Sequence, residues 1–115
     1  MSDMMRIQTI QELQTALADS SRQPLLLFKH STRCSISAKA HQAVEAYLQE
    51  EPREDVTYGL IHVIQSRDVS NEAADRLEVR HESPQAILVK DGQAIWHTSH
   101  SKITKTALSV ALTSH

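Results

Sequence analysis

The chain has 115 residues, 40% of them hydrophobic and 23% charged, with a formal net charge of −2. That length suits one domain with a single core, spanning 1–115, and the balance of apolar and charged residues excludes a disordered chain. No apolar run approaches the roughly 18 residues of a membrane span, Met1 to Met5 lack the basic and apolar regions of a signal peptide, and no basic run with interleaved aromatics marks a nucleic-acid surface. A cytoplasmic protein is expected, with no membrane and no nucleic acid among its partners.

Thr9 followed by Glu12 fits a capping box, and Ile10, Leu13 and Leu17 then recur at helical spacing, which predicts a first helix ending in the polar stretch Asp19 to Gln23. Pro24 opens the continuous apolar run Leu25-Leu26-Leu27-Phe28, as expected of a central strand covered on both faces. A second helix follows from Ser35 to Gln49, with Ile36, Ala40, Ala43, Val44, Tyr47 and Leu48 along one face. The charged segment Glu50 to Asp55, which contains Pro52, reads as a solvated linker to a β-branched strand over Val56 to Ile64.

Ser70 is a plausible N-cap for a third helix carrying Ala73, Ala74 and Leu77. Ala86 to Lys90 and Gln93 to Thr98 flank Asp91-Gly92, a strong hairpin-turn signal. Ile103, Ala107, Val110 and Ala111 complete the chain with an amphipathic helix. The order α-β-α-β-α-β-β-α describes an α/β fold, a four-stranded mixed sheet flanked by helices. Its first two strands are parallel through a right-handed crossover and its last two form a hairpin.

One cysteine excludes any internal disulfide. Cys34 stands six residues past Phe28 and immediately before the second helix, where free backbone N–H groups and the helix dipole favour an anion. A free thiol titrates near pH 8.5, and helix N-termini with neighbouring cations such as Arg33 bring that to roughly 3.5–7.5, so a reactive thiolate is expected; the alternative is a small buried packing residue. Ser37 can offer a hydrogen bond to the sulfur from the first turn, with Thr32 and Arg33 shaping the entrance, or else Ser35 or Ser37 simply caps the helix.

Seven histidines raise the question of a metal, above all His97 with His100, and His30 near Cys34, but none has a recognised ligand spacing and no metal site is assigned. His30 is either a tuner of the thiolate or an exposed loop residue. Trp96, Tyr47 and Tyr58 are too scattered for a stacking platform, and each reads as packing or partly exposed surface.

Phe28, followed by Thr32-Arg33-Cys34-Ser35-Ile36-Ser37, resembles the strand, active-site loop and helix start of the thioredoxin superfamily, with Ser37 in place of the second cysteine. Ser83-Pro84, ahead of the strand Ala86 to Lys90, matches the position of that superfamily's cis-proline segment, although an X–Pro bond is cis in only about 5–6% of cases. The longer run Phe28-Lys29-His30-Ser31-Thr32-Arg33-Cys34-Ser35-Ile36-Ser37, with Ser83-Pro84-Gln85, resembles the monothiol bacilliredoxin (YtxJ-like) family from about Ile7 to the final helix. The resemblance implies a thioredoxin-like fold and a redox-active Cys34 that removes bacillithiol from S-bacillithiolated proteins. It further implies a substrate segment docking on Ser83 and Pro84, no bound cofactor, and bacillithiol as co-substrate. Two other functions stay open. One is a noncatalytic adaptor or stress protein of the same fold; the other is an iron–sulfur carrier similar to monothiol glutaredoxins, with Cys34 and an external thiol as ligands.

Overall fold

The computed structural model describes residues 4–50 and 53–114. Glu51 and Pro52 of the charged segment, like Met1 to Asp3 and His115, lie outside the described residues. In chain order the elements are β1 (Met5–Arg6), α1 (Ile10–Asp19), β2 (Leu25–His30), α2 (Ser35–Glu50), β3 (Thr57–His62), α3 (Arg67–Leu77), β4 (Gln85–Lys90), β5 (Gln93–Ser99), a 3-10 turn (His100–Lys102) and α4 (Lys105–Ser114). The sheet order is β1-β3-β2-β4-β5, with β1, β3 and β2 parallel and β4 and β5 antiparallel to their neighbours.

The expected four strands are therefore five. The addition, β1, is two residues long and pairs Met5 with Gly59 and Arg6 with Leu60. So short a strand carries no alternation that sequence periodicity could register. Gly59 makes room for it: a Cβ there would come within 2.9 Å of the Ile7 side chain.

All six residues of β2 are buried, and their alternation splits the core in two. Leu25 and Leu27 join Leu13, Leu17, Val69, Ala73 and Leu77 beneath α1 and α3. Leu26 and Phe28 join Ala40, Val44, Tyr47, Leu108 and Leu112 beneath α2 and α4. The strand runs two residues beyond the expected apolar segment, so Lys29 faces the α3 side and His30 the α2 side, 0% and 7% exposed respectively.

Three further boundaries differ from expectation. Helix α3 begins at Arg67 after Ser66, and Ser70 lies within it, buried, its hydroxyl 3.3 Å from His81 Nδ1, so it is not the N-cap. Ile103 packs in the core ahead of α4 rather than on it, and Val110 is exposed at 59%; Leu108, Ala111 and Leu112 form the buried stripe instead. The charged segment is also less free than a solvated linker: Arg53 bonds the Leu112 carbonyl at 2.6 Å and pairs with Asp55 at 2.9 Å, while Glu50 pairs with Lys105 at 2.9 Å.

The capping box at Thr9 is present, with the Glu12 N–H donating to Thr9 Oγ1 and the Thr9 N–H to Glu12 Oε1. Asp91 and Gly92, at φ of 53° and 73°, form the hairpin turn. The turn is anchored to the end of α1: the Asp91 N–H donates to the Ser20 carbonyl at 3.1 Å and the Gly92 N–H to Ser20 Oγ at 2.8 Å.

Lys29 is held by Nζ–H donation to the Ser70 carbonyl at 2.9 Å, with His81 Nδ1 at 3.2 Å. Burial pushes this ammonium down from 10.5 to about 8. The unfolded chain therefore binds more protons than the folded one between pH 8 and 10.5, and the cost of the buried charge is fully present below that window and fades as pH rises through it. Lys29→Met is expected to raise the thermal midpoint at pH 7. The gap to the wild type should close between pH 8 and 10.5 when both are melted across that range.

Candidate active site

The loop that leaves β2 turns tightly. The Cys34 N–H donates to the Ser31 carbonyl at 3.3 Å, and the Cys34 carbonyl accepts from the Ala38 N–H at 3.0 Å, which opens α2. Cys34 is partly exposed, not sealed in the core. The N–H groups of Ser35, Ile36 and Ser37 precede the first intrahelical bond and so have no helical acceptor. At α1 and α4 threonine hydroxyls, those of Thr9 and Thr104, meet the corresponding amides. At α2 the residue in that position is Cys34, and the partial positive charge of the helix end faces its surroundings.

Neither candidate serine caps this helix. Ser35 is exposed, and Ser37, 0% exposed, turns inward: its Oγ accepts from the Ser31 N–H at 2.9 Å and lies 2.7 Å from His30 Nδ1. The Ser37 hydroxyl is thus engaged by the loop and the strand. Thr32 and Arg33 are exposed at the entrance, and Thr32 Oγ1 accepts from Gln65 Nε2 at 3.3 Å, tying the loop to the segment after β3.

The peptide bond between Ser83 and Pro84 is cis. The β2–β4 register pairs Lys29 with Gln85, so Pro84 lies one step further, at the end of β2 from which the Cys34 loop departs. The Pro84 carbonyl accepts from the His100 N–H at 3.0 Å, fixing the 3-10 turn against the same edge. Ser83 Oγ and Gln85 Oε1, on either side of the proline, are buried without a hydrogen-bond partner among the described residues.

His30 is the residue that sequence reasoning underrated. It is no exposed loop histidine but the last residue of β2, stacked near Phe28, with the His41 ring centroid at 4.6 Å and that of His62 at 5.8 Å. Burial, reinforced by His41 and His62 and opposed by the Ser37 hydrogen bond, lowers its pKa from 6.5 to about 4, so the imidazole is neutral at physiological pH. His62, its partner across the β2–β3 ladder, is lowered too, first by burial and then by Arg6 and His41. His41 pairs with Glu45 at 3.1 Å. Among the described residues no group of three histidine, cysteine or acidic side chains is arranged to hold a metal ion. His97 and His100 are both exposed, on β5 and in the 3-10 turn.

Residues 5–108 match the monothiol bacilliredoxin BrxC family. The chain belongs to that family. Among solved structures, it is similar to a thioredoxin-fold protein named as a candidate oxidoreductase, at 29% identity and a TM-score of 0.82, over 94% of this chain and 92% of that one. Fasciola hepatica thioredoxin aligns at 20% identity and a TM-score of 0.75, over 97% and 99% of the two chains. Malassezia sympodialis thioredoxin, Mala s 13, aligns at 14% identity and 0.81, over 100% and 92%. The thioredoxin fold is established, and membership of the bacilliredoxin family assigns the chain a thiol redox function. No helix among the described residues is long and apolar enough to cross a membrane.

A histidine buried as the neutral base has a simple consequence for stability. Because the folded-state pKa of His30, about 4, lies below the ordinary 6.5, the unfolded chain takes up the extra proton between those values and stability falls with pH across that window. His62 adds to the same slope. Replacing His30 by Asn, which keeps a polar atom at the Nδ1 position, is expected to flatten the loss of thermal midpoint between pH 6.5 and 4 relative to the wild type.

Proposed function

We propose that the chain removes bacillithiol from proteins that carry it as a mixed disulfide, with Cys34 as the nucleophile. The observation that supports this most directly is the partly exposed Cys34 at the start of α2, on the end of the sheet where the cis Ser83–Pro84 bond leads into β4. The first-turn amides of α2 have no helical acceptor and face the position of the sulfur, and Arg33 is the next residue in the chain. Thr32 shapes the entrance beside it.

The Cys34 thiolate attacks the bacillithiol sulfur of the substrate disulfide. The S–S bond to the protein breaks, the protein leaves as a thiolate and takes up a proton, and Cys34 retains bacillithiol as a new mixed disulfide. A second bacillithiol, as its thiolate, then attacks that bond, regenerating Cys34 and leaving as bacillithiol disulfide. No electrons are lost or gained overall; the oxidised sulfur pair passes from the protein to the small thiol. Ser37, at the place of a resolving cysteine, makes this external step obligatory. The Ser83 backbone ahead of Pro84 offers hydrogen-bonding groups to an extended substrate segment. We place the reaction in the cytosol, which keeps thiols reduced, with no bound cofactor.

Incubation of the purified chain with an S-bacillithiolated protein, followed by intact-mass measurement of both, tests the transfer step. The substrate should lose the mass of one bacillithiol as Cys34 gains it, and added bacillithiol should return Cys34 to the free thiol. Cys34→Ser should reduce transfer to the uncatalysed background. Transfer at an undiminished rate in that variant, or an unmodified Cys34 throughout, rejects the mechanism; an inert thiol leaves the adaptor function, and a bound chromophore after anaerobic purification leaves the iron–sulfur carrier.

A further inference from the structure

Ser37 occupies the motif position at which a dithiol relative has its second cysteine, yet it is among the most deeply buried polar residues of the molecule. Its oxygen meets two groups from two different elements: the Ser31 N–H of the loop at 2.9 Å and His30 Nδ1 of β2 at 2.7 Å. Ser31 is also the residue whose carbonyl accepts the Cys34 N–H. One hydroxyl therefore links the end of the central strand, the first residue of the loop and the first turn of the helix, and the cysteine sits inside the ring those links close. The histidine is itself fixed between Phe28, His41 and His62, so it is a rigid partner.

We propose that His30 and Ser37 are positioning residues for Cys34: their buried hydrogen bond, shared with the Ser31 amide, holds the sulfur over the free amides of α2. This rests on the reactivity assigned to Cys34 above and extends it to the two residues that tie its loop to the central strand. The second motif position is thus a structural hydroxyl. A neutral imidazole suits the role, because it offers either a donor or an acceptor at Nδ1 and the hydroxyl can answer both. Removing either partner leaves a polar group buried without its bond, and the inexpensive relief is for the loop to shift and admit water.

Alkylation of Cys34 by iodoacetamide, followed as a function of pH, reads the thiolate directly and needs no protein substrate. Ser37→Ala and His30→Phe are expected to slow alkylation at pH 7 at least about fivefold, the scale set by losing one buried hydrogen bond, and to move the pH midpoint upward. His30→Asn, which can present an amide group where Nδ1 stands, should restore the rate to within about twofold of the wild type. Unchanged rates and midpoints in both Ser37→Ala and His30→Phe overturn the proposal, as does a His30→Asn variant no better than His30→Phe.

Amide exchange in the unaltered protein supplies a measurement that does not depend on any variant folding. The Ser31 N–H, although in a loop, should exchange as slowly as strand amides; rapid exchange there overturns the proposal. If the variants slow alkylation but the wild type leaves bacillithiolated protein untouched, the positioning role stands and the substrate assignment falls. If the wild type removes bacillithiol and both variants match it in alkylation, the reverse holds.

Discussion

The structure depends on one constraint, the burial of β2 on both faces from Leu25 to His30. Four leucine and phenylalanine side chains satisfy it at no cost in hydrogen bonds. Lys29 and His30 satisfy it only because each finds polar partners on its own side of the sheet, Ser70 and His81 for one, Ser37 for the other. The polar end of the strand is thus organised from inside the core. Two ties at this end of the sheet run through these residues, to α3 through Lys29 and to the first turn of α2 through His30.

That arrangement explains how so small a chain can hold a cysteine in place without a second cysteine to anchor it. A disulfide-forming pair fixes its own geometry when oxidised. Here the loop is tied by buried hydrogen bonds that do not involve the sulfur, from the Ser31 N–H and His30 to the Ser37 hydroxyl. The titrating groups beneath the site are shifted so as to stay uncharged: burial lowers both His30 and His62, and their mutual repulsion with His41 reinforces the effect.

Much of this was legible in the residues alone. The continuous apolar run marked the central strand, Thr9 with Glu12 marked a helix start, Asp91-Gly92 marked the hairpin, and Cys34 was placed immediately before a helix, where it stands. The cis Ser83–Pro84 bond followed only from resemblance, since ordinary odds favour trans. What escaped had physical reasons. Strand β1 is too short for periodicity. Lys29 and His30 are polar by type and buried by context, so the strand appeared to stop at Phe28. Ser70 has the side chain of a cap but points into the core toward His81, and Ser37 was weighed as a cap or a thiolate donor because its partners come from other elements.

At the far end of the sheet from Cys34, the hairpin tip is fastened to Ser20 through two backbone N–H groups. A tight β-turn at the surface ordinarily looks like the natural place to splice in an epitope, a fluorophore or a second domain. In this protein the turn doubles as the latch for α1, so an insertion between Asp91 and Gly92 would loosen the helix as well as the ribbon. Anyone building a reporter on this scaffold does better to leave that corner alone.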